Sequence, residues 1–316
     1  QEELTLDDAV RQQWGRFRPE RTVLQSWVPN TSDFVYLSND YQSLKRESAE
    51  SKESSDLITV SEMNDWTGAT FTYPAISNWK DENSFYASTD GEYFLINFTG
   101  KSAETICELP KEAQNAKQCL VNGYVAYTLE NDLYFQKKGG NEVRVTEGAD
   151  EFVSGQAIAR REFGIVDGIF WSNTGKYLGF YQKDESEVAD YPLLDITTPT
   201  GSLNSIKYPM AGQASEKSGA GVHNTETGKT ITIKPQGATE DYITNFSWGP
   251  KDQFFYVIEV NRDQNHSRVQ KYNAETGELE GTKYRSVVYI PWATAESTGL
   301  PLKPVVPGAA WLMDPG

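Results

Sequence analysis

The sequence predicts an all-β protein: a partial β-propeller of about five to six four-stranded antiparallel blades, preceded by a short N-terminal helix. Three observations predict it. The chain is turn-rich and aromatic, 12% of residues with 8 Trp, 17 Tyr and 14 Phe, a composition that favours strands over helices. A Trp–turn–aromatic motif recurs at Trp27-Val-Pro-Asn-Thr, Trp171-Ser-Asn-Thr-Gly and Trp248-Gly-Pro-Lys-Asp, with a looser copy at Trp79-Lys-Asp-Glu-Asn. A second motif, Asn224-Thr-Glu-Thr-Gly-Lys, returns 49 residues later as Asn273-Ala-Glu-Thr-Gly-Glu. Four-stranded propeller blades repeat at about this period.

Residues 1–22 carry the helical signal. Thr5 with Asp8 three positions on resembles a capping box. Leu6, Val10 and Trp14 share one face at helical spacing, and Pro19 ends the pattern. Residues 23–283 read as the propeller domain. Val23 to Tyr36 reads as strands around the turn Pro29-Asn30-Thr31. Residues 42–56 are polar and read as a solvated loop or a frayed strand edge. From Phe71 the strands return. Ser84-Phe-Tyr-Ala turns at Thr89-Asp-Gly91 into Tyr93-Phe-Leu-Ile, and Tyr124-Val-Ala-Tyr127 turns at Glu130-Asn-Asp132 into Leu133-Tyr-Phe135. Trp171 to Tyr181 reads as a strand–turn–strand unit.

Spacing between the two repeated motifs places an insertion of about 28 residues at about 184–214, where Pro192, Pro199, Pro209 and Gly212 mark an excursion. Residues 284–316 hold five further prolines and no further motif copy, and read as an irregular Pro-rich tail.

Formal net charge is −16. Such a surface repels nucleic acid and anionic lipid and attracts a cationic ligand, such as a free peptide amine. No apolar run reaches the length of a membrane span. The chain opens at Gln1 without Met, as a processed or trimmed chain would. Cys107 and Cys119 either form one disulfide in an exported protein or stand as unrelated thiols in neighbouring strands.

The chemistry is informative mainly by what is missing. There is no G-x-S-x-G nucleophile elbow, H-E-x-x-H, C-x-x-C, P-loop or G-x-G-x-x-G, so no cofactor and no metal are expected. His223 and His266 read as surface turn residues. Asp184, Glu185 and Glu187 read as solvated carboxylates rather than a metal site. Glu162 with Asp167 has the composition of a glycosidase pair and nothing further to support it. Arg160-Arg161-Glu162-Phe163 precedes a hairpin and then the insertion. It is either a solvated run or one wall of a pocket, since an inserted loop beside a charged cluster is a common way to build one.

Several segments resemble the dipeptidyl peptidase IV family. They are Gln156-Ala-Ile-Ala-Arg-Arg-Glu-Phe-Gly-Ile, Gly168-Ile-Phe-Trp-Ser, Gly179-Phe-Tyr, Asp190-Tyr-Pro-Leu, Lys207-Tyr-Pro-Met-Ala-Gly212, Asn245-Phe-Ser-Trp248 and Glu259-Val-Asn-Arg-Asp-Gln-Asn265. Val125 to Phe135 and Leu4 to Val10 are similar to earlier parts of the same family, and the resemblance covers about residues 3–282. It implies an exported serine exopeptidase, periplasmic or secreted, that releases X-Pro or X-Ala dipeptides from peptide N-termini. A propeller there caps an α/β-hydrolase domain carrying Ser, Asp and His.

On that resemblance Glu162 anchors the substrate's α-amine. Arg161 stands where mammalian members have a second glutamate, so it should point away or pair with Glu162. An arginine that some members supply from an earlier blade has no counterpart. The hydrolase domain is missing, so no catalytic residue is expected in this chain and it should be inactive alone. The resemblance allows a homodimer of the full-length parent, while the sequence itself does not report oligomeric state. The rival reading is a non-catalytic propeller that binds or scaffolds.

Overall fold

The computed structural model describes residues 3–12, 15 and 22–286. The chain divides into two compact units, residues 1–105 and 106–316.

The first unit opens with α1 (Leu6–Val10). Its N-terminus is the expected capping box: the Asp8 N–H donates to Thr5 Oγ1 at 3.2 Å and the Thr5 N–H to Asp8 Oδ2 at 2.9 Å. Leu6 and Val10 are nevertheless exposed, so their shared face is not buried, and Trp14 lies outside the described residues. A four-stranded meander follows: β1 (Val23–Trp27), β2 (Asp33–Leu37), β3 (Ser43–Ser48) and β4 (Ser54–Thr59).

Residues 42–56 are thus two strands, not a loop. Their polarity is that of an outer strand pair, whose charges find cross-strand partners. Arg46 reaches Asp33 at 2.6 Å and Lys45 reaches Asp56 at 2.7 Å, while Leu44 and Ile58 are buried. Helix α2 (Val60–Thr67) was also not anticipated. Its signal is in the sequence: Thr59 and Glu62 form a second capping box, and Gly68, at φ 75°, closes the far end. The second sheet is β5 (Asn78–Asp81), β6 (Ser84–Thr89), β7 (Glu92–Asn97) and β8 (Ser102–Glu108). Leu44, Ile58, Met63, Phe85, Phe94 and Ile96 form this unit's core.

The second unit begins with the meander β9 (Gln114–Gln118), β10 (Val125–Leu129), β11 (Asp132–Gln136) and β12 (Glu142–Arg144). The next sheet is less regular. Both β13 (Phe152–Ser154) and β14 (Ile169–Trp171) pair along one edge of β15 (Tyr177–Asp184), β13 opposite 182–184 and β14 opposite 178–180. The edge strand is therefore interrupted, and residues 155–168 leave the sheet in the gap. A hairpin, β16 (Asp190–Asp195) and β17 (Ser202–Lys207), also leaves the sheet before the chain returns as β18 (Lys217–Asn224) against β15, then β19 (Thr230–Ile233).

The last sheet is β20 (Tyr242–Trp248), β21 (Phe254–Val260), β22 (Ser267–Asn273) and β23 (Leu279–Ser286). Strand β23 runs three residues past Lys283, where the sequence pattern fades; residues 287–316 of the Pro-rich tail lie outside the described residues.

The repeated tryptophans have a shared task. Three of the four donate the indole N–H to the first or edge strand of the preceding sheet: Trp79 to Ser26 Oγ at 2.8 Å, Trp171 to the Lys117 carbonyl at 2.8 Å, and Trp248 to the Phe170 carbonyl at 3.0 Å. Buried indole needs such a partner. Trp27 belongs to the first described sheet and is 63% exposed. The Asn224 and Asn273 repeats are Asx turns. Asn224 Oδ1 accepts from the N–H groups of Glu226 and Thr227 at 3.0 and 3.1 Å, and Asn273 Oδ1 from those of Glu275 and Thr276 at 2.9 and 3.1 Å. The described residues are thus all-β apart from short helices, and are built mainly of four-stranded antiparallel sheets.

Candidate functional site

The interruption between β13 and β14 supplies the first wall of a cavity. Residues 159–164 form a short, tight 3₁₀ segment there. Ile158 and Ile165 bracket it and are buried in the core, and the Phe163 ring packs 5.2 Å from that of Tyr242 on β20. Ala159, Arg161 and Phe163 all have left-handed backbones, with φ of 49°, 64° and 56°. Each costs about 1–3 kcal/mol, and such strain persists only where the surroundings over-determine it. In this turn the pinned ends and the Phe163 ring do so. The outcome is that Glu162 stands exposed on this turn.

Glu162 lines a cavity of about 280 Å³ together with Tyr208, Met210, Glu216, Tyr242 and Arg262. The opposite wall is the stretch leaving the β16–β17 hairpin. It is closed by two bonds at 3.0 Å, Met210 N–H to Gln213 Oε1 and Gln213 N–H to the Met210 carbonyl. Arg262 stacks on the Tyr242 ring at 5.2 Å and donates to its hydroxyl. Glu216 accepts the Ala159 N–H at 2.6 Å and lies 3.8 Å from Lys183 Nζ, which holds Glu185 at 2.6 Å.

Chemically, the cavity offers an accessible carboxylate beside an aromatic ring and a guanidinium. An ammonium group with three N–H donors could donate charge-assisted hydrogen bonds to such a carboxylate.

The other candidates lie apart. Arg161 is exposed and does not line the cavity. Asp167 pairs with Lys117 at 3.0 Å and, unlike Glu162, does not line the cavity. Glu185 and Glu187 are each taken by a lysine, Lys183 and Lys217, at 2.6 Å, and Asp184 accepts from the Ser186 N–H. Among the described residues no group of three or more His, Cys, Asp or Glu could hold a metal ion.

His223 is not a surface turn residue. It lies buried on β18 with Nδ1 2.8 Å from Thr230 Oγ1, and burial, then the charge of Lys137, lowers its pKa, which keeps the ring neutral. His266 is exposed in the turn after Asn265. Cys107 and Cys119 are both buried, and burial raises the Cys107 thiol to about 11.

Sequence reasoning did not single out Glu216, Tyr242 or Arg262 as site residues. Arg262 and Tyr208 do fall inside two of the segments that carried the family resemblance, Glu259–Asn265 and Lys207–Gly212, and the cavity brings those segments to Glu162. Glu216 has no local signal, because it meets Ala159 only through the pairing of β15 with β18 across the hairpin.

Compared with known proteins, residues 72–294 match the family described as the dipeptidyl peptidase IV (DPP IV) N-terminal region. The protein named probable dipeptidyl-aminopeptidase B of Talaromyces marneffei is 26% identical over 87% of this chain and 35% of its own length. A solved structure from Bacteroides ovatus, described as a dipeptidyl aminopeptidase IV, superposes with a TM-score of 0.72 at 33% identity, over 84% of this chain and 37% of that one. Porphyromonas gingivalis dipeptidyl peptidase 4 shares the fold, with a TM-score of 0.69 at 15% identity over 91% of this chain and 42% of that one. The chain thus spans about a third of the length of the curated relative, at 35%.

Proposed function

The chain belongs to the dipeptidyl peptidase IV N-terminal-region family, and from that footing we propose that it receives the free N-terminus of a peptide on behalf of a serine exopeptidase. The sheets are blades of a partial propeller, about five or six in all. The reaction is release of X-Pro or X-Ala dipeptides, with Ser, Asp and His contributed by an α/β-hydrolase domain outside these 316 residues. The same reading places the protein outside the cytoplasm, periplasmic or secreted. Among the described residues no helix is long and apolar enough to cross a membrane.

One observation carries the reading: Glu162, an exposed carboxylate on a strained, pinned turn, lines the cavity into which the family-like segments converge. Only a chain N-terminus carries an α-ammonium group, so a carboxylate that grips one makes an exopeptidase of the whole. Losing one partner of such a charged pair costs about 2–5 kcal/mol, on the order of 30- to several-thousand-fold in affinity.

The test is calorimetric titration of the chain with a Gly-Pro peptide, free and N-acetylated. The free peptide should bind more tightly, and Glu162→Gln should abolish that preference while leaving the acetylated peptide's affinity unchanged. Equal affinities for both peptides would remove the amine-anchor role and leave the rival, a propeller that binds or scaffolds without catalysis.

A further inference from the structure

We propose that Glu216 is a positioning residue, whose carboxylate clamps the 159–164 turn so that Glu162 faces the cavity; this rests on the reading of Glu162 as the amine anchor. The turn has little to hold it from within. Its internal backbone bonds are Arg161 N–H to the Ile158 carbonyl at 3.1 Å and Ile165 N–H to the Glu162 carbonyl at 3.0 Å. Ile158, at the cap position, has no side chain able to take up the first N–H groups. The N–H of Ala159, the first strained residue, is taken instead by Glu216 Oε1 at 2.6 Å, from 57 positions away in the chain.

The rest of Glu216 is arranged for the same task. Its second oxygen lies 3.8 Å from Lys183 Nζ, and Lys183 is held at 2.6 Å by Glu185. The Glu216, Lys183 and Glu185 side chains are only 10%, 16% and 14% exposed. Carboxylates this dry need a cation and hydrogen-bond donors, and here they have both.

The arrangement also argues against Glu216 as a second amine ligand. One of its oxygens is engaged by a backbone amide, and the nearby Lys183 ammonium would repel an incoming one. Glu216 therefore ties the cavity's far wall, which it ends, to the turn that carries Glu162. It does not stand in for the second glutamate that Arg161 replaces.

Three variants separate reach from charge. Glu216→Ala removes both. Glu216→Asp keeps the charge on a stem one methylene shorter. Glu216→Gln keeps the reach and a carbonyl that can still accept the Ala159 N–H. Amide hydrogen exchange reads the clamp without any ligand. In the Ala and Asp variants exchange at Ala159 should accelerate by roughly 10- to 100-fold, as expected for loss of a hydrogen bond to a charged group, and the Gln variant should keep most of the protection.

Titration with the free and acetylated Gly-Pro peptides supplies the second readout. Preference for the free amine should fall in the Ala and Asp variants and largely survive in the Gln variant. Unchanged exchange at Ala159, or equal loss in the Asp and Gln variants, overturns the clamp. Where the Ala variant does not fold, the contrast between Asp and Gln decides. Should Glu162→Gln abolish the amine preference while Glu216→Asp leaves it intact, the clamp fails and the anchor stands. Should Glu162→Gln change nothing, the anchor reading has failed, and exchange alone then upholds or overturns the clamp.

Discussion

Asp252 shows at the scale of one residue how a repeated motif holds its neighbour. Its carboxylate is buried and accepts the Asn173 N–H at 3.0 Å, the Asn173 Nδ2–H at 2.7 Å and the Thr174 N–H at 2.7 Å. Burial pushes its pKa up, but the hydrogen bonds from Thr174 and Asn173 outweigh it and hold the group below the ordinary 3.8. A depressed folded-state pKa means stability present above the unfolded value and lost as pH falls through the folded one. Asp252→Asn should therefore cost about 2 kcal/mol in urea denaturation at neutral pH. The gap to wild type should close as pH falls below about 4. A pH-independent gap would mean that the ionised carboxylate is not what matters. Glu162 could be singled out in the sequence because it sits in a contiguous charged run. Its clamp, Glu216, could not, and His223 was misread because the neighbouring Asn224 turn suggested a surface.

The elements were legible wherever a repeat announced them. The Trp motif marks strands that donate an indole N–H to the sheet before, and the Asn-x-Glu-Thr-Gly motif marks the turn joining the last two strands of a sheet. The sequence leaves β3 and β4 open between loop and frayed strand edge because charges paired across strands look, one residue at a time, like solvent-exposed loop.

Close packing between sheets explains one glycine in the family-like segments. A Cβ on Gly179 of β15 would lie 2.5 Å from Phe246 Cζ on β20, inside a run of stacked rings formed by Phe170, Phe246, Phe255 and Tyr272. Gly179→Ala should lower stability by about 1–3 kcal/mol, read by thermal denaturation; no change would mean that the rings give way freely. The β16–β17 hairpin carries a cross-strand pair, Leu194 and Leu203, that is 67% and 69% exposed. With Leu193 and Ile196, 44% and 79% exposed, they leave apolar surface on one hairpin, and larger apolar patches mark interaction sites. For the homodimer that the resemblance allows, we predict that Leu194→Asp with Leu203→Asp weakens self-association in sedimentation runs. An unchanged constant would remove the hairpin from the interface.

For the whole molecule, net charge and reaction chemistry make separate predictions. At −16 the chain should draw cationic peptides in, so their association rate should fall as salt is added. The purified 316-residue chain, which has no G-x-S-x-G segment, should release no chromogenic group from a Gly-Pro substrate, and turnover that survives purification would contradict this.

The most direct test of the central claim is a crystal structure of the chain with an X-Pro dipeptide amide bound. The account predicts the peptide's ammonium about 2.7–2.9 Å from the Glu162 carboxylate, inside the cavity bounded by Tyr242 and Arg262. A peptide bound elsewhere, or seated with its amide end toward Glu162, would contradict it.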